Sequence, residues 1–161
     1  MAEAYEFRPM TEADLPLLHR WLNEPHVSRW WGEPAAQFDL VSGDLNEPAM
    51  DQFIVIKDSQ PFAYLQCYRL TDWNVGFGEQ PDGTRGIDLL IGETEMLGRG
   101  HGSHFIRTFV ERQFAAGTAR VVTDPDPQND RAIRAYEKAG FMRDRLVETP
   151  DGPALLMVRD R

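Results

Sequence analysis

Leu97-Gly98-Arg99-Gly100-His101-Gly102 and Asn129-Asp130-Arg131-Ala132-Ile133-Arg134-Ala135-Tyr136-Glu137-Lys138-Ala139-Gly140-Phe141 are the two stretches that decide how this chain folds. The first is a glycine loop. It follows a strand pattern over residues 85–91 and precedes a helix pattern over 103–116. There Phe105, Ile106, Phe109, Val110 and Phe114 share one face, and Gly117 ends the run. The second stretch opens on an N-cap residue, Asn129, and carries a helix to Ala139 that Gly140 stops. Between the two helices, Ala119 to Thr123 reads as a strand, and Asp124-Pro125-Asp126-Pro127 as a rigid exit loop. A strand–helix–strand–helix–strand middle implies a mixed sheet with helices on both faces.

Each stretch also carries chemistry. Gly100 and Gly102 remove side chains where a ligand would touch the backbone. The helix that follows presents its first N–H groups and the positive end of its dipole. Together they form a cradle for a pyrophosphate, to which Arg99 adds a local cation. The loop has no G-x-G-x-x-G and follows the middle of the chain, which disfavours a dinucleotide fold; it has no Gly-Lys-Ser/Thr, which excludes a Walker loop. The plain alternative is a tight turn. Tyr136 falls two turns after Asn129 on the same helix face, and its plain alternative is a packed core aromatic with a satisfied hydroxyl.

Outward from these stretches the pattern stays regular. Residues 5–9 read as a first strand. Thr11 caps a helix to about Asn23 with Asp14 completing an acidic capping box, and Leu15, Leu18 and Leu22 form its apolar face. Pro25 opens a short helix with Val27, Trp30 and Trp31, and residues 35–45 a weaker third one. Gln52–Lys57 and Pro61–Leu70 form a hairpin about Asp58-Ser59-Gln60. Residues 71–83 read as a loop of functional length, and 141–148 with 154–159 as a last hairpin around Pro150-Asp151-Gly152-Pro153. The expectation is one domain over residues 1–161, α/β in class, with a mixed sheet of about seven strands.

Composition narrows the function. A net charge of −9 repels nucleic acid and anionic membranes and suits a cationic small molecule, although many acidic proteins carry such charge for solubility alone. No apolar run reaches the ~18 residues of a membrane span, and the first residues lack a signal-peptide core. A cytoplasmic enzyme is expected. The single cysteine, Cys67, reads as a small buried hydrophobe in a strand. His19, His26, His101 and His104 show no metal-ligand spacing, so no metal site is expected.

The two opening stretches resemble the x-x-G-x-G/A loop and the N-x-x-A-x-x-x-Y-x-x-x-G-F element of the GNAT acetyltransferases. Leu97 stands where that family usually has Gln or Arg; the binding group there is the backbone. The resemblance narrows to the aminoglycoside 6′-N-acetyltransferases. It does so through Trp21-Leu22-Asn23, His26-Val27, Trp30-Trp31-Gly32, Arg85-Gly86-Ile87-Asp88, Thr123-Asp124-Pro125, Ala132–Phe141 and Thr149-Pro150-Asp151-Gly152-Pro153-Ala154, so it spans about residues 6 to 159. It implies a GNAT fold with a splay between strands 4 and 5, flanked by residues 86–91 and 119–124. It further implies acetyl-CoA held by Leu90, Ile91, Leu97, Gly98, Arg99, Gly100, His101, Gly102, Ser103, Asn129, Ala132, Tyr136 and Lys138. Asp88 matches the proposed base, or else forms an ion pair with Arg85 or Arg131. Tyr136 matches the acid that protonates the leaving thiolate, a step its phenol suits because a thiol has the lower pKa.

Substrate contacts carried by the resemblance are Trp30, Trp31, Gln66, Asp72, Trp73, Asp88, Asp124 and Asp151. The alternatives are helix packing for the tryptophans, a strand-end turn for Asp124 and an ordinary hairpin turn for Asp151. The segment Thr71-Asp72-Trp73-Asn74-Val75-Gly76-Phe77-Gly78-Glu79 departs from the family pattern, and its register is open. The expected reaction is direct acetyl transfer from acetyl-CoA to the 6′-amine of an aminoglycoside in a ternary complex, by a monomer or weak homodimer. The alternatives are a GNAT acting on a lysine- or hydroxylysine-type siderophore precursor, and a non-catalytic acyl-CoA sensor. The sensor would need neither Tyr136 nor Asp88.

Overall fold

Local chemistry sets the element boundaries. At Thr11 the Asp14 carboxylate accepts the Thr11 N–H at 3.0 Å, closing the expected acidic capping box, and the Arg8 guanidinium clamps the same carboxylate at 2.8 and 2.9 Å. Pro16 has no N–H to return to Glu12, so the chain makes a 3₁₀ turn over Glu12–Asp14 before α1 (Leu15–Leu22) begins. Helix α2 spans Pro25–Trp31 and α3 Pro34–Gly43. Glu33 caps α3 by accepting from the N–H groups of Ala35 and Ala36, and a 3₁₀ turn at Asp44–Asn46 replaces the expected last residues of that helix.

The computed structural model describes residues 4–73 and 76–161. Its strands are β1 (Glu6–Pro9), β2 (Met50–Lys57), β3 (Gln60–Arg69), β4 (Arg85–Ile91), β5 (Arg120–Thr123), β6 (Met142–Thr149) and β7 (Gly152–Asp160). They form one sheet in the order β1-β2-β3-β4-β5-β7-β6. The β4–β5 pair is parallel and the pairs β1–β2, β5–β7 and β6–β7 are antiparallel, so the sheet is mixed as expected. The hairpin at Asp58-Ser59 turns with both residues at positive φ, 50° and 66°, the conformation that two-residue hairpins require.

Two expectations need correction. The loop over 71–83 is not irregular throughout: β3 ends at Arg69 and a short helix, α4 (Leu70–Trp73), follows, with Arg69 paired to Asp72 at 3.0 Å. Asn74 and Val75, part of the same reading, lie outside the described residues. The long helix, α5, spans His101–Ala115 rather than 103–116. Gly100 turns the chain in the left-handed region (φ 81°), so the helix starts two residues early and Gly102 sits in its first turn. Helix α6 spans Asp130–Lys138.

The chain divides into two compact units by its internal contacts. One holds the residues up to Cys67 with Leu89–Arg99, the other Tyr68–Asp88 with Gly100–Arg161. The first unit has a core of Met10, Leu18, Trp21, Leu22, Val27, Val41, Ile54, Tyr64 and Leu90. Trp21 lies so close over Gly92 that a Cβ there would stand 2.0 Å from its ring. The second buries Phe105, Ile106, Phe109 and Val110 of α5, Val121 and Val122 of β5, Ile133 and Tyr136 of α6, and Leu156 and Met157 of β7.

Candidate active site

Tyr136 owes its position to the end of its own helix. The N–H of Phe141 returns to the Tyr136 carbonyl and that of Gly140 to Glu137, both at 3.0 Å, with Gly140 at φ 100°. This is a Schellman cap, and its usual hydrophobic contact is made by Phe141 edge-on to the Tyr136 ring, centroids 5.5 Å apart. The spacing from tyrosine to Gly-Phe is therefore a helix-ending device that pins the phenol in the core. At the other end Asn129 accepts the Ala132 N–H at 3.2 Å, so it is the N-cap the sequence predicts.

The Tyr136 hydroxyl lies within electrostatic reach of the Asp88 and Asp124 carboxyl groups. Asp88 lies on β4, Asp124 directly follows β5, and Asp151 sits in the β6–β7 turn. Asp124 is pushed up to about 9, first by burial, then by the charge of Asp88 and a hydrogen bond with it, and then by Asp151. Two carboxyl groups that hydrogen-bond each other share a proton, so the pair carries one negative charge near neutrality. The Tyr136 phenol is also pushed well above its ordinary value, mainly by burial and by the charges of Asp88 and Asp124, with a hydrogen bond to Thr123 opposing. The structure thus groups Asp88, Asp124, Asp151 and Tyr136, which are far apart in sequence. The Arg85 guanidinium donates to Gln113 at 3.0 Å.

Asp151 is exposed in a turn whose Thr149 hydroxyl accepts the Asp151 N–H and donates to the Gly152 carbonyl. The exit loop is tied down by the Leu155 N–H bonded to the Pro125 carbonyl at 2.9 Å, which steadies Asp124. Phe77 is fully buried, and its carbonyl accepts from Arg145 at 2.8 Å. Asp72 is exposed and Trp73 half-buried on α4.

The glycine turn fits a diphosphate. Gly98 (φ 71°) and Gly100 (φ 81°) adopt conformations that favour glycine, and a Cβ on either would meet open space, so their backbone faces outward. The first N–H groups of α5 follow at once, from His101, Gly102 and Ser103. Ser103 turns its hydroxyl back to the Gly100 carbonyl at 3.1 Å. The His101 side chain is buried, so its contribution to a ligand would come from its N–H. Leu97 is half-buried, while Arg99 and Lys138 are exposed and Ala132 half-buried beside the cap.

In the other unit, the Trp31 indole N–H donates to the Leu89 carbonyl at 3.3 Å and the ring meets Tyr64 edge-on at 6.1 Å. Trp30 lies under the Arg29 guanidinium at 4.7 Å. Gln66 accepts from the Tyr64 hydroxyl at 2.7 Å, which accepts from Gln52 at 3.1 Å. His26 donates from Nε2 to the Ile91 carbonyl at 2.8 Å, and Leu90 beside it is buried. Sequence reading missed Thr123, the Gln52–Tyr64 link and the role of His26, because each depends on a partner distant along the chain. Among the described residues no group of three or more His, Cys, Asp or Glu is placed to hold a metal ion, and no helix is long and apolar enough to cross a membrane.

Comparison with known proteins places the chain in a family. A family model described as an acetyltransferase (GNAT) domain matches residues 10–149. The aminoglycoside N(6′)-acetyltransferase type 1 of Klebsiella pneumoniae is 38% identical, over 99% of this chain and 84% of that protein. The N(6)-hydroxylysine O-acetyltransferase of Escherichia coli is 24% identical over 92% of this chain and 49% of its own length. Among solved structures, AAC(6′)-Ib in complex with ribostamycin and coenzyme A superposes with a TM-score of 0.89 at 37% identity, covering 99% of this chain and 94% of that one. The same enzyme with coenzyme A and kanamycin gives 0.88 at 38% identity, covering 98% and 95%.

Proposed function

The chain belongs to the GNAT acetyltransferase family, and on that premise we propose that it transfers an acetyl group from acetyl-CoA to the 6′-amine of aminoglycosides. The observation that carries this reading is the carboxylate group Asp88–Asp124–Asp151 beside a buried phenol. Such a group collects a polycationic amine, which fits the aminoglycosides bound to similar structures.

The residues divide the work as follows. Backbone N–H groups at Gly98–Ser103 hold the diphosphate, with Arg99 nearby and Leu90, Ile91, Asn129, Ala132 and Lys138 completing the cofactor contacts. Acetyl-CoA, when bound, supplies an acyl group activated as a thioester. An ammonium cannot attack a thioester, so the amine must first lose a proton. Asp88 orients the amine and accepts that proton, directly or through water. Asp124, through the one charge it shares with Asp88, and Asp151 hold neighbouring ammonium groups, and Gln66, Trp30, Trp31, Asp72 and Trp73 are the further substrate contacts of this reading. Tyr136 protonates the departing sulfur. Direct attack in a ternary complex follows, as this scheme needs no acyl-carrying nucleophile.

The family model runs without interruption across both units, which supports a single functional domain. A cytoplasmic monomer or weak homodimer that binds no nucleic acid is part of the same reading, supported by the net charge of −9. The test is thiol release from acetyl-CoA with kanamycin, tobramycin, lysine and N(6)-hydroxylysine as acceptors. Turnover with the two drugs and little with the amino acids is expected. Preference for hydroxylysine would move the protein to the siderophore branch, and coenzyme A binding without turnover on any amine would make it a sensor.

A further inference from the structure

We propose that a buried relay from Gln52 through Tyr64 fixes Gln66 as a hydrogen-bond donor toward the substrate, so that Gln66 takes an oxygen of the amino sugar and not an ammonium group. The inference rests on the reading of Gln66 as a substrate contact and names what that contact can recognise.

Along β3 every residue from Phe62 to Tyr68 is buried except Gln66, which is half-buried. The strand lies inside the sheet, between β2 and β4. A polar side chain at the one opening in the middle of such a strand is placed to meet a ligand.

The hydrogen bonds behind it run in one direction. The Gln52 side-chain nitrogen lies 2.8 Å from the Val41 carbonyl oxygen and 3.1 Å from the Tyr64 hydroxyl oxygen. A carbonyl only accepts, so the NH2 end of Gln52 faces this pair, and its two hydrogens go one to each. An amide nitrogen offers no lone pair, so Tyr64 accepts from Gln52. The phenol's own hydrogen goes to Gln66 Oε1 at 2.7 Å. Gln66 therefore turns its carbonyl end to Tyr64 and its NH2 end away. Turning the amide over would aim the phenol hydrogen at a nitrogen that cannot accept it. Gln52 and Tyr64 are both buried, where water cannot repair that mismatch. Trp31, edge-on at 6.1 Å, holds the Tyr64 ring in place.

The NH2 end of Gln66 has two hydrogens and no lone pair, so every partner it takes is an acceptor. An ammonium of the drug would meet it donor against donor. A hydroxyl or ring oxygen of the sugar fits. Gln52 and Tyr64 touch no substrate in this scheme; they are positioning residues that act through Gln66.

The test measures thiol release with acetyl-CoA and kanamycin in the wild type, Gln66→Glu, Gln66→Leu, Tyr64→Phe and the Tyr64→Phe/Gln66→Leu double variant. Loss of one hydrogen bond should raise the KM for kanamycin about tenfold in Gln66→Leu. Gln66→Glu should raise it at least as far, although it adds a negative charge facing a polycation. Tyr64 bonds one oxygen of that carboxylate, and the other meets the sugar oxygen acceptor against acceptor. In both variants kcat and the KM for acetyl-CoA should stay within about twofold. Tyr64→Phe lets the amide take either orientation, so it should raise the KM for kanamycin about two- to threefold. In the Gln66→Leu background it should add nothing. A lower KM for kanamycin in Gln66→Glu would show that Gln66 accepts from an ammonium, and it overturns the proposal. An unchanged KM in Gln66→Leu overturns it as well, and an equal rise on adding Tyr64→Phe to either background overturns the relay. If Tyr64→Phe fails to fold, the two single variants at Gln66 decide the direction of its hydrogen bond. A wild type that acetylates no aminoglycoside would instead retire the proposed function, and this inference with it.

Discussion

Replacing Asp124 by asparagine should change how stability depends on pH in a way no surface substitution can. In the folded protein Asp124 holds its proton up to about 9, because burial and the Asp88 carboxylate disfavour its charge. In the unfolded chain the same group titrates near 4, at about the ordinary aspartate value. Between those limits the native state binds one more proton than the unfolded state. Stability is then fully present below pH ~4 and falls as pH rises toward 9. A complete one-proton difference costs about 1.4 kcal/mol per pH unit. Asp124 is only partly buried and shares its proton with Asp88, so the effect over pH 5–9 should come to about 1–3 kcal/mol. Asp124→Asn keeps the shape and removes the second charge. Urea unfolding of both proteins at pH 5, 7 and 9 measures the difference, and groups common to both cancel. The variant should gain on the wild type by that amount as pH rises, while losing affinity for kanamycin. Parallel stability curves would show that the two carboxyl groups do not share a proton, and the account of the site would fail with them.

Tyr136→Phe should lower kcat by about 10²-fold or more while coenzyme A affinity, measured by calorimetry, stays close to wild type. Gly100→Ala places a Cβ on a residue at φ 81°, so it should cost about 1–2 kcal/mol in urea unfolding and raise the KM for acetyl-CoA. Gly92→Ala drives a methyl group into the Trp21 ring and should destabilise by roughly 1–3 kcal/mol or more, visible as a lowered midpoint. The KM for a polycationic drug should rise with salt between low and physiological ionic strength, whereas that for lysine should change less, because the carboxylates act partly through long-range attraction.

What the sequence made legible is local. The Asn129 cap, the Gly140 stop and the helix between them depend on contacts within a few residues, and the structure reproduces them. The strands of both hairpins were legible from alternation and turn chemistry. The start of α5 was misjudged because Gly102 looks like loop, yet Gly100 alone turns the chain and leaves Gly102 free to be helical. Helix α4 escaped because four residues carry too little periodicity. The aspartates could be named one by one, but the proton shared by Asp88 and Asp124 needs their separation in space. Thr123 gave no signal at all: beside two valines it reads as another β-branched strand residue, and only the Ile87 carbonyl across the sheet reveals its hydroxyl.

The most direct measurement is the position of the acetyl group on the product. Kanamycin incubated with acetyl-CoA and the purified protein, then examined by two-dimensional NMR, should carry a single new acetyl on the 6′ nitrogen. Unmodified drug, or an acetyl on any other amine, would contradict the account.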